Sequence, residues 1–271
     1  MMCEILEVSR SGFYAWASRA PSQRQARREE LVGQIRDVHQ QSDGTYGSPR
    51  ICQELAARKV GVCVNTVARL MNEAGIRSIM HRRFVPQTTD ANHDLPVAPN
   101  RLGQQFAADR PDQKWCCDIT YVPTAEGFLY VSAVMDLCSR RIVGWCMADH
   151  LRTQLCADAL TMALRARRPG AGLLHHSDRG VQYASADYQQ LMASHGGIQV
   201  SMSRVGNCYD NAAMESFWGT LKTELVHHRR YQTREQARQS IFRYIECWYN
   251  RKRRHSAIGY VSPEEFEASL N

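Results

Sequence analysis

The feature that most constrains the fold is an ordered run of strand and helix patterns between residues 114 and 202. KWCCDITYVPT alternates, with Trp115 and Tyr121 on one face and Asp118 on the other, and GFLYVSAVMDL and RRIVGWCMAD follow after connections short enough for an antiparallel meander. TQLCADALTMALRARRPG then shows a helical pattern that ends in a stop signal. AGLLHHSD and IQVSMS form two further strands around a helical segment, SADYQQLMASHG. These patterns predict an α/β sheet with the order βββαβαβ.

That order, followed by more helices, is typical of a ribonuclease-H-like fold, in which the fourth strand lies beside the first. Asp118 lies in the middle of the first strand, Asp178 directly follows the fourth, and Glu215 projects from a later helix expected to pack on the sheet. We therefore expect three carboxylates that are distant in sequence to converge. An ionised aspartate in a central strand is costly to bury unless its charge is paired or coordinated.

A divalent cation would remove this cost. Two or three carboxylates suit Mg²⁺, which keeps water ligands and bridges to substrate phosphate. Two such ions about 3.5–4 Å apart can activate an attacking hydroxyl and stabilise the leaving oxygen of a phosphodiester. Each acid also has an ordinary alternative when taken alone: a strand-edge acid at Asp118, a turn residue at Asp178 and a solvated helix glutamate at Glu215.

Three other polar residues near strand ends are interpreted as supports. Asp136 ends the second strand, and His175 and His176 lie in the fourth. We interpret Asp136 as structural. Histidines at a strand end can bind metal, but we favour hydrogen-bonded supports or phosphate contacts for this pair.

The first eighty residues predict short helices. TYGSPRICQELAARK and VGVCVNTVARLMNEAGI form two helical segments joined by a few residues, with Ser48 and Asn65 as candidate N-caps. This spacing matches a helix-turn-helix, although small helical hairpins are also common. Residues 81–113 contain four prolines and no sustained periodicity, which predicts a linker. The expected organisation is a helical DNA-binding region over 1–80, a linker over 81–113 and the catalytic core with C-terminal helices over 114–271.

Charge and cysteine usage narrow the class of protein. The net charge of +7 alone is a weak indication of a polyanionic partner, and a solvated basic surface is the alternative. The placement of the basic residues in four separate clusters favours a surface that contacts phosphate: Arg19–Arg28, Arg77–Arg83, Arg165–Arg168 and Arg251–Arg254. The sequence contains no run of eighteen apolar residues, so no membrane span is predicted. The N-terminus shows no secretory signal pattern. The ten cysteines are scattered without a C-x-x-C pair, which is typical of reduced thiols in a cytoplasmic protein.

Four blocks in order resemble a known family. WCCDITYV, HHSDRGVQYAS, SMSRVGNCYDNAAMESFWGTLKTEL and YNRKRRHSAIGYVSPEEF are similar to the signature blocks of retroviral-integrase-type transposases of the insertion sequence family numbered three. The resemblance implies a ribonuclease-H-like (retroviral integrase) core behind an all-α helix-turn-helix domain. It places the catalytic, metal-binding acids at Asp118, Asp178 and Glu215. The implied activity is DNA cleavage at the element's ends followed by strand transfer, with two Mg²⁺ or Mn²⁺ ions.

The resemblance also implies partners. The first partner is double-stranded DNA, at the element ends and at the target. The second is at least one further copy of this chain, because two ends must be synapsed. The third is an upstream-frame protein, separate or fused to this chain by frameshifting. The expected location is the bacterial cytoplasm, associated with the nucleoid. The candidate DNA contacts lie in the core, the basic tail and the second helix of the helix-turn-helix: Arg179, Asn207, Asn211, Lys222, Arg251, Lys252, Arg253, Arg254, Asn65 and Arg69.

Two other functions remain as alternatives. A ribonuclease-H-like nuclease that only hydrolyses would use the same acids, but would not need the helix-turn-helix block or the basic tail. A DNA-binding regulator derived from a transposase would be free to lose the acids, and all three are present.

Overall fold

The structure is a computed structural model that describes residues 2–20, 22–79, 95–204 and 208–270. The chain divides into two compact units, residues 1–79 and 80–271. No helix in the described ranges is both long enough and apolar enough to cross a membrane.

The first unit is entirely helical in its regular structure. Its helices are α1 (Met2–Ile5), α2 (Arg10–Ala17), α3 (Gln23–Gln41), α4 (Ser48–Ala57) and α5 (Val64–Glu73). A small core joins the last three through side chains at helical spacing: Leu31, Ile35, Val38, Ile51, Leu55, Val67 and Leu70. Helices α4 and α5 are the pair that the sequence pattern predicts.

Both helix starts in this pair differ slightly from the predicted caps. Helix α4 already includes Ser48, and Gly47 is its N-cap. Helix α5 begins one residue before Asn65, with Cys63 at the N-cap. The Cys63 thiol lies 3.2 Å from the hydroxyl of Thr66, so it meets the first turn where a serine or asparagine cap would normally lie.

The second unit is built on a five-stranded sheet. The strands are β1 (Lys114–Thr124), β2 (Gly127–Asp136), β3 (Ile142–Ala148), β4 (Leu174–Ser177) and β5 (Gln199–Met202), in the order β3-β2-β1-β4-β5. The first three strands are antiparallel, whereas β4 is parallel to both β1 and β5. The predicted strand order and the neighbouring positions of β1 and β4 are confirmed.

Helices cover both faces of the sheet. The α-helices of this unit are α6 (Thr153–Arg167), α7 (Val181–Ala184), α8 (Ala186–Ser194), α9 (Ala212–Glu224), α10 (Arg234–Arg243) and α11 (Pro263–Ala268) in the described ranges. Helices α6, α7 and α8 share one apolar core with Trp115, and α9 and α10 share the other with Cys116, because successive strand residues point to opposite faces. Gly144 lets β3 approach α6 closely, since a Cβ there would overlap the backbone of Ala159 and Ala163.

The C-terminal segment closes the edge of the sheet. Helix α10 follows its N-cap Thr233, is regular to Arg243 and continues as a wider π-helical stretch, Tyr244–Tyr249. Asn250 follows directly, and its amide both accepts from the N–H and donates to the carbonyl of Ile142 on β3. The last helix, α11, begins with a capping box formed by Ser262 and Glu265.

Candidate active site

Asp118 lies where β1 loses its pairing with β4. The last paired residues are Cys116 and His176, so β1 runs on beyond β4 from this point. The Asp118 carboxylate accepts the N–H of Ile119 at 2.8 Å. Burial, and next the negative charge of Asp178, raise the pKa of Asp118 well above its ordinary value. The Trp218 indole faces the same carboxyl and favours its charged form, although it lies outside direct hydrogen-bond geometry.

Asp178 is placed by the end of β4, one residue past Ser177. Its carboxylate accepts the backbone N–H of Gly180 at 2.9 Å. Glycine suits this position because an added Cβ would lie 3.1 Å from the Asp178 oxygen and 3.0 Å from the side-chain oxygen of Gln182. The turn therefore fixes the orientation of the carboxylate toward the open edge of β1.

Asp118 and Asp178 line one cavity of about 320 Å³. Glu215 lies in the first turn of α9, exposed, and does not line this cavity. Its charge nevertheless raises the pKa of Asp118, and partial burial raises the pKa of Glu215 itself. Within the described ranges, no three Asp, Glu, His or Cys side chains are close enough together to hold a metal ion. The structure thus brings two of the three predicted acids into one cavity.

The two histidines of β4 support the site from below. His176 contacts the hydroxyls of Ser201 and Ser203 at 2.8 and 3.2 Å, and His175 contacts the hydroxyl of Tyr188 at 3.1 Å. Burial lowers the pKa of both histidines to about 4, so both are neutral at neutral pH. These contacts match the hydrogen-bonded supports that we favoured.

Two predicted DNA contacts lie inside the site. Lys222 is only 6% exposed, and its ammonium lies over the ring of Tyr121, 5.2 Å from the centroid. Burial lowers the pKa of Lys222, and the charge of Asp118 opposes that shift. Asn211 is buried and donates to the carbonyl of Cys117, which ties the start of α9 to β1 beside Asp118. Both side chains therefore support the acids from within.

The basic tail is divided between interior and surface. Arg253 is 5% exposed, and its guanidinium binds the carboxylate of Glu224 on α9. Arg254 donates to the carbonyl of Tyr260, whereas Arg251 and Lys252 are exposed. Buried Arg253 thus serves the packing of α9, and the exposed pair is the part of the tail open to a partner.

The remaining predicted contacts are spread over both units. Arg179 is half-buried and donates to the carbonyl of Ser203. Asn65 and Arg69 are exposed on α5, where Arg69 pairs with a glutamate one turn later. Asn207 lies outside the described residues.

Sequence reasoning missed a buried acid, Asp210, just before α9. Its carboxylate accepts hydrogen bonds from Arg204, from Asn100 and from Gln104. The bonds from Arg204, and next the bond from Gln104, lower the pKa of Asp210. The only signal in the sequence is an acid five residues before Glu215. Asp210 joins the strand before the helix to the segment leading into β1, so it positions the element that carries Glu215.

Known protein families match both units of this chain. Models described as an integrase core domain match residues 108–208 and 196–263, and a model of an HTH-like domain matches 26–84. The chain is 47% identical to a 31 kDa protein of insertion element IS600 from Shigella sonnei, over 98% of this chain and 97% of the relative. It is 45% identical to transposase InsF for insertion sequence IS3A from Escherichia coli K12, over 98% and 92%.

A likeness to a solved structure supports the fold alone. A chain of the simian T-cell lymphotropic virus intasome, solved in complex with PP2A regulatory subunit B56 gamma, is similar with a TM-score of 0.51 and 14% identity. The match covers 86% of this chain and 74% of that chain. The ribonuclease-H-like fold predicted from the strand order and the integrase core implied by the family resemblance are confirmed.

Proposed function

Because this chain belongs to the IS3-type transposases and is a DNA transposase with an integrase core, we propose that Asp118, Asp178 and Glu215 carry its chemistry. The proposed reaction is phosphodiester cleavage at the element's ends, followed by attack of the freed 3′-hydroxyl on target DNA. The observation that carries this assignment is the shared cavity of Asp118 and Asp178, two carboxylates that oppose each other's charge.

The acids fit a divalent cation. Asp118 and Asp178 offer hard carboxylate oxygens to a cation. The pKa of Asp118 is raised by burial and by the charge of Asp178, and a bound cation would relieve both effects. Asp118 and Asp178 would together bind Mg²⁺ or Mn²⁺. Glu215 would help to bind a second such ion in the complex with DNA. When bound, the ions would supply Lewis-acid activation of the attacking and leaving oxygens.

The chain's own side chains and backbone orient the acids and neutralise negative charge near them. The N–H of Gly180 holds the Asp178 carboxylate in one orientation, and Asn211 fixes the start of α9. Lys222 adds a positive charge beside Asp118 that favours a phosphate near the acids. None of these groups needs to form a covalent bond with DNA.

The proposed DNA surface is narrower than the sequence prediction. The candidates that reach solvent are Asn65 and Arg69 on α5, with Arg179, Arg251, Lys252 and Arg254 on the second unit. Lys222 is kept as a phosphate contact within the site. Arg253 and Asn211 are reassigned to packing, because the Arg253 guanidinium binds Glu224 and the Asn211 side-chain N–H donates to the carbonyl of Cys117.

The proposed assembly contains at least two copies on DNA. Each element end requires a core, and the two ends must be held together for joining. We further propose that an upstream-frame protein, supplied separately or as a frameshift fusion, selects the ends, and that the complex acts on the nucleoid in the bacterial cytoplasm.

A strand-transfer assay tests the function. Labelled DNA from the ends of the element that encodes this chain is incubated with Mg²⁺ and either the wild type or Glu215→Gln, with the chain alone and fused to its upstream frame. Joined products that disappear in the variant support the proposal. Asp187→Asn, at an exposed carboxylate on α8, is the matched control and should keep full activity. Nicks without joining would indicate a hydrolytic nuclease, and binding without products would indicate a regulator.

A further inference from the structure

The cavity that holds Asp118 and Asp178 has an aromatic wall. Tyr121 of β1 lies opposite Tyr130 of β2 in the strand register, and Phe128 lies two residues before Tyr130. The rings of Tyr121 and Phe128 are 4.8 Å apart between centroids, and those of Phe128 and Tyr130 are 6.3 Å apart. These three side chains, here called the aromatic wall, continue the surface formed by the two acids.

Phe128 is exposed although its backbone is firmly held. Its side chain is 48% exposed, whereas its carbonyl accepts from the guanidinium of Arg234 on α10 at 3.1 Å. The turn before it is closed by Thr124, whose hydroxyl donates to the carbonyl of Gly127 at 2.6 Å. Lys222 lies over the Tyr121 ring at the other side of the wall. A fixed aromatic face is therefore presented to solvent beside the acids.

The size of the cavity fits a flat, single ring system. Its volume of about 320 Å³ lies at the lower end of the roughly 300–1,000 Å³ found for small-molecule pockets. Planar rings stack on aromatic side chains, and every nucleobase has such a face. A cavity lined by both acids and aromatic rings matches a nucleotide, with its phosphate at the acids and its base on the rings.

Charge distinguishes this occupant from an apolar one. A hydrophobic peptide segment would press apolar atoms against Asp118 and Asp178 and leave both carboxylates without compensation. A nucleotide brings phosphate together with its cations to the acids, while Lys222 contributes a second positive charge nearby. The cavity therefore favours a nucleotide within a DNA strand.

We propose that the aromatic wall receives an unstacked nucleobase next to the phosphodiester that is cut or joined, with Phe128 as the stacking residue. This proposal rests on the proposed function, because it places the scissile phosphate at Asp118 and Asp178. Removing the base from the duplex costs stacking energy, which contact with the wall offsets. Phe128 is thus a positioning residue that sets which nucleotide lies at the acids.

The test uses element-end duplexes with 2-aminopurine at the nucleotide on either side of the cleaved phosphate. The fluorescence of this base changes when it leaves the duplex stack and contacts an aromatic ring. With wild type and Ca²⁺, which permits binding, we expect a fluorescence change at one position. Phe128→Ala should remove that change and lower strand transfer about tenfold or more, whereas Phe128→Trp should restore both.

A matched control exists on the same unit. Phe242 on α10 is 47% exposed and packs against Trp145 at 5.8 Å, outside the cavity. Phe242→Ala should leave the fluorescence change and the rate intact. Thermal unfolding of each variant verifies that the core is folded. A duplex with the 2-aminopurine partner base already missing should partly rescue Phe128→Ala, since the cost of unpairing has been removed.

Asp118→Asn separates this proposal from the proposed function. If Asp118→Asn abolishes joining while Phe128→Ala matches wild type in both rate and fluorescence, the base-stacking proposal is overturned and the catalytic assignment stands. If Asp118→Asn joins DNA normally, the catalytic assignment fails and the base-stacking proposal fails with it. Loss of the fluorescence change in Phe128→Ala, with the change retained in Asp118→Asn, supports the wall directly.

Discussion

Asp118 and Asp136 lie on paired strands of one sheet, yet their carboxylates have opposite surroundings. Asp136, at the end of β2, accepts from the backbone N–H groups of Asp112, Cys138 and Ser139. Asp118, in β1, faces the carboxylate of Asp178 across a solvent-accessible cavity. Burial raises the pKa of both. An acid surrounded by donors stabilises the fold, whereas an acid facing another acid is held at a cost that a ligand can relieve.

Asp118→Asn is expected to have the largest effect and to separate activity from stability. Strand transfer should fall by more than about a hundredfold, because a ligand to the ions is weakened more than a supporting residue would be. The melting temperature should stay equal or rise, since repulsion with Asp178 is removed. Strand-transfer rates and thermal unfolding measure the two effects. A clear drop in melting temperature would mean that Asp118 is a structural acid like Asp136.

Asp136→Ala is expected to show the reverse pattern. Three N–H groups, two of them buried, would lose their acceptor. This loss should lower the free energy of unfolding by about 3 kcal/mol. Urea unfolding measures this loss. Activity per folded molecule at low temperature should remain close to wild type. A specific loss of strand transfer in fully folded Asp136→Ala would erase the distinction between the two acids.

Gly180→Ala is expected to perturb the catalytic side with little effect on folding. The new Cβ would crowd the oxygens of Asp178 and Gln182 at 3.1 and 3.0 Å and force a shift of a few tenths of an ångström. Misplacement of a reacting group is costly, so we expect about a tenfold loss in strand transfer. The melting temperature should change little. Unaltered activity would show that the Asp178 carboxylate tolerates movement.

Glu267→Gln gives the smallest expected effect and tests the structural side through pH. Burial alone would raise the pKa of Glu267, but hydrogen bonds from Arg167 and Ser139 outweigh it, and the pKa is lowered. A lowered folded-state pKa stabilises the protein above the unfolded-state value of about 4.3 and loses that contribution as pH falls through the folded-state value.

The free energy of unfolding of the wild type should therefore exceed that of Glu267→Gln by roughly 1 kcal/mol at pH 7. This difference should shrink toward pH 3. Unfolding curves at several pH values measure it. Glu264→Gln, at a more exposed carboxylate on the same helix, is the control and should show a smaller pH-dependent difference. A constant difference across this range would mean that the Glu267 charge contributes nothing.

The sheet could be predicted because its information is local. Alternation in β1 and the helical spacing of α6 fix which side chains face the cores. The three acids were placed by their positions in the middle of β1, after β4 and on a later helix, together with the family resemblance. Their assignment as a catalytic set remains a prediction.

The details that escaped prediction depend on partners distant in sequence. Arg253 reads as part of a basic surface run, but Glu224, which holds it in the interior, is twenty-nine residues away. Lys222 reads as a helix lysine until Tyr121 is placed under it. Asp210 carries no local pattern that reveals its bonds to Asn100 and Gln104. Sequence periodicity gives the face of an element, whereas only the assembled fold shows what meets that face.

The clasp between Asn250 and Ile142 has a consequence for how the enzyme is made. Edge strand β3 is synthesised more than a hundred residues before the amide that pairs with its backbone. During translation, the Ile142 backbone of β3 therefore lacks the hydrogen bonds to Asn250 until the C-terminal helices leave the ribosome. Domains fold as units during synthesis, so we expect this core to become protease-resistant only near the end of translation. A nascent transposase would then be unable to cut the DNA from which it is being expressed until its chain is nearly finished.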